Sequence, residues 1–486
     1  MAPRRREIPC DALVIGSGAG GSVAAATLAE AGRDVLVLEE GSRYSTREIA
    51  AASPAENLRR MYRSGGLVPM YGSPNIPFGE GRCVGGTTVV NGGLLWRAPD
   101  ALLDGWAERS GIGGYRGPAL AGHYDRIENR LGVVEQRHGA GNQDSRALAA
   151  AADRLGLTWK HARRAVNGCT HSNRCVTGCP TGAKQSMLMT YLPAAERAGA
   201  HVVPDCRVRR LGHEGGRVRT VVAARPGGAE VVYRPESVYL AAGAIRSPLV
   251  LQRSDIQRRR AGRELAFHVN LRTIALFDRD IRARAGTIFT AQLQEFSSRG
   301  LLVMPANLSP GSLAAALVGQ GPETVNRLLG AVDRVGVFTT QVRVEGTASV
   351  RALPGGTSLI RHGLTARDRD LLRFGMRETA RLLFDGGAVE LYPGVPLAAP
   401  VRDLGEATEL VARGDLRQWE MVSVHAMASC RMGLPERGGV CDELGRPHGF
   451  SNLYVCDASV LPGATGISPQ GTIMAFAHEI VGRSLA

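Results

Sequence analysis

Lysine is nearly absent from this 486-residue chain, and aromatic side chains make up only 5% of it. Arginine supplies almost all of a formal charge of +14. A basic protein that binds nucleic acid gathers its cations into a patch or stripe. Here they are scattered, and only "RRR" at Arg4–Arg6 and "QRRRAGR" at Gln257–Arg263 form runs. No nucleic-acid partner is expected. No apolar run approaches the ~18 residues of a membrane span, so no spanning helix is expected. The first residues are basic, but "CDALVIGSG" reads as a strand entering a glycine turn rather than a secretory segment. The nine cysteines are odd in number and dispersed. That excludes the disulfide framework of a small secreted fold and predicts a reducing, cytoplasmic setting.

The chain is too long for one simple core, so two domains are expected. Glycine is abundant, at 62 residues, and clusters in loops. Its strongest cluster lies in "CDALVIGSGAGGSVAAATLAEAGRDVLVLEEG". "ALVIG" is a short apolar run of the kind a buried parallel strand makes. Gly16, Gly18 and Gly21 follow with G-x-G-x-x-G spacing, then an alanine-rich helix ended by Gly32. "DVLVLE" is a second buried strand closed by Glu39. The first glycine makes the tight turn, the second admits a pyrophosphate, and the third brings helix and strand together. The phosphates then meet a helix N-terminus. Glu39 stands where an acid accepts a ribose hydroxyl, which predicts FAD or NAD rather than NADP.

Four later stretches separate those two cofactors. They are "GRCVGGTTVVNGGLLWRAP" from Gly81, "NGCTHSNRCVTGCPTGAKQSMLMTYLPAAERAGAHVVPDCRVRRL" from Asn167, "VYLAAGAIRSPLVLQRSDI" from Val238, and "VHAMASCRMG" leading into "NLYVCDASVLPGATGISPQGTIMAFA". Together they resemble the glucose–methanol–choline (GMC) oxidoreductases, FAD enzymes that oxidise alcohols. The resemblance covers most of the chain and is thinnest from Arg282 to Asp333.

The resemblance implies an α/β fold with a Rossmann-like FAD-binding domain, residues 1–254 and 421–486. A second, sheet-and-helix substrate domain, residues 255–420, lies between. "AGRELAFHVN" opens that middle region, and "LTARDRDLLRFGMRETARLLFDGGAVEL" reads as an amphipathic helix feeding a strand. Gly81, Arg82, Gly86, Thr87 and Asn91 match the first flavin loop. Val208 matches the position whose backbone meets the adenine, and Gly243 the second signature. Asp457 and Ala458 match the segment that returns to the phosphates.

Alcohol oxidation removes a hydroxyl proton while hydride leaves carbon for the flavin. An imidazole suits the proton, and His425 matches the family's catalytic histidine. The family places a second His or Asn on the substrate hydroxyl, where this chain has Ser468. Locally, Ser468 reads as the N-cap of the last helix, with Pro469 in its first position. The backbone of Ser468, Pro469 and Gln470 is expected to aim the positive helix end at the flavin's pyrimidine side. Some members link FAD covalently through a histidine that is Val90 here, so non-covalent FAD is expected.

Cys169, Cys175 and Cys179 give C-x5-C-x3-C. Three thiolates could hold metal with a further ligand such as His171, but "GCPTGAK" recurs in cluster-free relatives, so a structural role is expected. The ending "SPQGTIMAFAHEI" is similar to that of aminoglycoside 6′-dehydrogenases, which implies the primary alcohol of a substrate such as paromamine. A +14 protein repels a polycation at long range, so a local acid such as Glu295 is needed. The alternatives are a long-chain alcohol or sterol oxidoreductase, an NAD-dependent dehydrogenase, and a flavin-binding structural module. The electron acceptor, oxygen or another, stays open.

Overall fold

The computed structural model describes residues 7–137, 142–306, 313–314, 316–354 and 357–486. The N-terminal reading becomes strand β1 (Glu7–Ile15), helix α1 (Ala19–Glu30) and strand β2 (Val35–Leu38). Ala12 to Ile15 are all buried, as a central parallel strand requires. β1 pairs in parallel with β2 on one side and with β3 (Glu230–Leu240) on the other. His201–Val203 extends the sheet in parallel beyond β2. Beyond β3 the sheet turns antiparallel through Arg217–Ala224 and Arg207–Glu214. The C-terminal end of β3 takes Leu453–Val455 as a parallel neighbour. The chain thus completes its first sheet with residues from its last tenth.

A second, antiparallel sheet is built around the long strands β4 (Ala266–Phe277) and β5 (Val335–Arg343). Leu301–Pro305, Ala291–Leu293 and Trp159–His161 continue it on the β5 side. Ala388–Tyr392, Met421–Val422 and Ala426–Met427 all pair with β4. The amphipathic segment forms one helix, Ala366–Asp385, opened by a capping box between Thr365 and Asp368. The Asp368 carboxylate also accepts from the Glu345 and Gly346 amides, which ties the helix start to the turn after β5.

The last helix, α2 (Gln470–Leu485), is buried on most sides and packs against α1. Its His478 lies between the Thr27 and Tyr191 hydroxyls at 3.3 and 3.0 Å. Among the described residues no helix is long and apolar enough to cross a membrane.

Candidate active site

One continuous cavity runs from the β1–α1 turn to the inner face of the second sheet. Gly16 adopts φ +99°, a left-handed conformation that glycine alone tolerates easily. A Cβ there would also fall 2.4 Å from the Ala241 carbonyl oxygen. Gly18 opens α1 with no side-chain cap and no acid in the first turn, so the positive helix end meets the cavity unneutralised. Gly21 lies away from the cavity, packed on the Gly16 carbonyl.

Glu39 is buried at the end of β2. Its carboxylate accepts from the Ser17 amide (3.0 Å), the Ser17 hydroxyl (2.7 Å) and the Gly41 amide (2.8 Å). Burial raises its pKa, and those three donors oppose the rise. The Ser17 hydroxyl also accepts from the Gly85 amide at 2.9 Å, joining the first glycine turn to the Gly81–Asn91 loop. Gly81, Gly86, Thr87 and Asn91 line the cavity. The Thr87 hydroxyl accepts from the Gly81 amide at 3.0 Å and closes the loop on itself. Arg82 is not in the lining; its half-exposed guanidinium stands 3.7 Å from Glu40.

Val208, Gly243, Asp457 and Ala458 also line the cavity. The Asp457 side chain is fully engaged. It accepts from the Gly243 amide at 2.8 Å, the Ser247 hydroxyl and the Ser459 amide and hydroxyl. Asp457 therefore clamps the returning C-terminal segment to the Gly243 loop. A charge network missed in the sequence lies nearby. Arg63 bonds Glu40 and Glu80, and Arg246 bonds Glu80. Burial pushes the Glu40 carboxyl up, but Arg63, Arg207 and Arg82 outweigh it and hold the group at about 2.

The cysteine-rich segment explains itself through a lysine. Lys184 Nζ donates to the carbonyls of Val89, Asn91 and Cys175, each at 2.7 Å. Burial lowers its pKa to about 8, so it stays charged at neutral pH. The lysine of "GCPTGAK" thus pins the cofactor loop to the cysteine segment. Cys175 Sγ accepts from Arg164 at 3.2 Å. Among the described residues no cluster of three or more His, Cys, Asp or Glu is placed to hold a metal.

At the far end, His425, Ser468, Pro469 and Gln470 meet the cavity with Asn270, Phe289, Met304 and Gln341. The reading of Ser468 as a helix cap is corrected here. Pro469 occupies the cap position without a side-chain cap bond, and the Ser468 hydroxyl turns instead to the Leu94 carbonyl at 3.5 Å. Among the described residues no helix amide donates to that hydroxyl, because the helix starts at Gln470, one residue later than the cap reading places it. Glu295 is also corrected as a substrate anchor. It is absent from the cavity lining, and its exposed carboxylate accepts from the Thr158 amide at 2.9 Å.

His425 Nδ1 lies 3.0 Å from His268 Nδ1, with the rings nearly perpendicular at 85°. Burial lowers the pKa of His425 to about 4 and that of His268 well below its usual value. Both rings are neutral at physiological pH. His268 Nε2 accepts from the Gly466 amide at 3.0 Å, and Gln341 donates to the Gly466 carbonyl at 3.1 Å. The glycine-rich loop before α2 is thereby hung on the second sheet through both the amide and the carbonyl of Gly466. His268 sits in the quoted segment "AGRELAFHVN", yet nothing local marks it.

These residues fit a dinucleotide cofactor. The turn, the uncapped helix start and the acid ending β2 share one end, and an imidazole stands at the other. The family model for GMC oxidoreductases matches residues 58–270 with its N-terminal part and 344–477 with its C-terminal part. A model for NAD(P)-binding Rossmann-like domains matches residues 14–62. The chain is 34% identical over 478 residues to an uncharacterized GMC-type oxidoreductase of Mycobacterium tuberculosis, covering 98% of this chain and 76% of that one. It is 28% identical over 514 residues to a long-chain-alcohol oxidase of Arabidopsis thaliana, covering 97% and 67%. Among solved structures it is similar to pyridoxine 4-oxidase from Mesorbium loti, with a TM-score of 0.75, 18% identity and 98% and 99% of the two chains covered. That likeness bears on the fold.

Proposed function

Because this chain belongs to the GMC oxidoreductase family, whose members are FAD-dependent oxidoreductases, we propose that it oxidises an uncharged primary alcohol to an aldehyde. One observation carries the choice of an uncharged substrate. Four carboxylates line the cavity, and each is already engaged. Glu39 is held by amides and a hydroxyl, Glu40 and Glu80 by arginines, and Asp457 by an amide and two serines. Glu40 and Glu80 are matched by arginines, and Glu39 and Asp457 are committed to the glycine loops, so a polycation would find no acid freed to serve as its counter-charge. Burying its ammonium groups without one is costly. This argues against an aminoglycoside such as paromamine. It favours an alcohol that lies against Phe289 and Met304, as the aliphatic chain of a long-chain alcohol would.

Gly16, Gly18, Glu39, Gly81, Gly86, Thr87, Asn91, Val208, Gly243, Asp457 and Ala458 are assigned to FAD, which, when bound, accepts the hydride. His425 is assigned to the substrate hydroxyl as its base, acting through Nε2, the ring nitrogen that faces away from His268. Ser468 holds only a long bond to Leu94 and is free to turn toward the same oxygen. Asn270 and Gln341 supply polar wall beside it. Val90 is buried and offers no nucleophile, in keeping with non-covalent FAD.

The test is anaerobic bleaching of the yellow protein by an alcohol panel containing aliphatic alcohols of graded length, pyridoxine, a sterol and paromamine. The expected result is fast bleaching by a neutral alcohol, with release of the flavin into the supernatant on acid precipitation. Preferential bleaching by paromamine would reverse the substrate assignment, and failure of every alcohol would remove the proposed reaction.

A further inference from the structure

The hydrogen bonds around His268 leave only one way to distribute the protons of two neutral imidazoles. The Gly466 amide points its hydrogen at His268 Nε2, at 3.0 Å, so that nitrogen carries a lone pair. A neutral His268 must then carry its proton on Nδ1. That proton faces His425 Nδ1 at 3.0 Å, which must accept it. The remaining proton of the pair belongs on His425 Nε2, the nitrogen left to the cavity that His425 lines.

We infer that His268 is a positioning residue that fixes the tautomer of His425, so that the resting enzyme presents an Nε2–H donor, not a lone pair, to the substrate oxygen. A base at Nε2 needs the ring proton at Nδ1 instead. There it would meet the His268 Nδ1–H at 3.0 Å, donor against donor. His425 becomes base-competent only when the contact between the two rings opens. The His268 ring is held against such movement by Gly466, whose carbonyl is held by Gln341. His268 is also completely buried and lies on β4 opposite Arg343 of β5. Arg343 is the charged side chain that bears on it, and its positive charge disfavours a further proton on the pair. The meaning of this lock for catalysis rests on the alcohol-oxidation reading; the tautomer itself does not.

The test is two-bond proton–nitrogen correlation of the imidazole rings in FAD-loaded protein labelled with ¹⁵N-histidine, recorded from pH 6 to 8. His425 should show an unprotonated Nδ1 and a protonated Nε2 throughout. A protonated Nδ1 in the wild-type protein overturns the inference. In His268→Phe the Nε2–H form should lose its advantage by about five- to tenfold, the worth of one hydrogen bond, and the pH at which His425 gains a second proton should rise. In His268→Asn, which keeps a side-chain N–H near the Nδ1 position, the wild-type pattern should return. A Phe variant with the wild-type pattern also overturns the inference. If His268→Phe does not fold, the wild-type spectrum alone decides. A wild-type spectrum as expected in a protein that no alcohol bleaches defeats the proposed reaction and leaves the lock standing. Fast bleaching with a protonated Nδ1 does the reverse.

Discussion

Asn91 and Gln470 stand 379 positions apart in sequence, yet the Asn91 amide donates to the Gln470 side-chain carbonyl at 2.6 Å. Asn91 Oδ1 in turn accepts from the Gly93 amide at 2.9 Å. This pair joins the Gly81–Asn91 loop to the first turn of α2, and both residues line the cavity. Asn91→Leu leaves the Gln470 carbonyl and the Gly93 amide without partners. Each such loss is worth ~1 kcal/mol. FAD affinity should fall by about five- to tenfold in a fluorescence titration of the apoprotein. Unchanged affinity would separate this pair from cofactor retention.

Glu39 holds three donors besides any ribose hydroxyl it binds. Glu39→Ala should therefore act twice. Hydrogen bonds to a charged acceptor contribute ~1.5–3 kcal/mol, so FAD affinity should fall by about one to two orders of magnitude. The apoprotein should also melt earlier, because Ser17 and Gly41 lose their acceptor. Full flavin occupancy in the purified variant would exclude Glu39 as the ribose partner.

Ser468 caps nothing, so Ser468→Ala should leave thermal stability within about 0.5 kcal/mol of wild type. If its hydroxyl turns to the substrate, flavin reduction in rapid mixing should slow about fivefold, the worth of one hydrogen bond. A large drop in melting temperature with an unchanged rate would restore the capping role that the geometry takes away.

His425→Ala should slow flavin reduction by ~10²–10⁴-fold while flavin occupancy stays near wild type. The pH dependence has a definite sign. Burial lowers the His425 pKa from 6.5 to about 4. Between those values the unfolded chain binds a proton that the folded chain refuses. Stability contributed by neutral His425 is thus complete above pH 6.5 and is lost as pH falls toward 4. His478, lowered by burial and by the nearby His123, Arg126 and Arg130 to about 3, acts in the same direction. Melting temperature should fall with pH from about 6.5 downward, and less steeply in His425→Gln. The acid limb of the reduction rate should lie near pH 4 rather than near 6.5.

The parts of the site that could be read in advance are those whose meaning is local. "ALVIG", the glycine spacing and Glu39 lie within one strand–turn–helix–strand unit, and that unit forms as written. The long helix from Ala366 and its following strand were equally plain, because period and cap sit in one stretch. What stayed hidden depends on distant partners. Arg63, Glu80 and Arg246 are ordinary surface-type charges until three separate segments bring them together. His268 acquires its role only opposite a histidine 157 positions later. Ser468 does not cap because the helix starts at Gln470 rather than Pro469, and the Leu94 carbonyl that its hydroxyl meets comes from another part of the chain. Trp159–His161 gave no signal as a member of the second sheet, since three residues carry no period.

The pairing of Leu453–Val455 with β3 has a consequence during synthesis. β1, α1 and β2 are synthesised some four hundred residues ahead of the strand and Asp457 that finish their sheet. Until then the Gly243 loop lacks its clamp, and the cavity lacks the wall that α2 provides. A nascent chain can begin this fold early but cannot make the completed flavin site. Cofactor capture is accordingly a late event, coupled to the emergence of the C-terminal segment, and the unfinished first sheet is the stretch of the protein most in need of protection while translation continues.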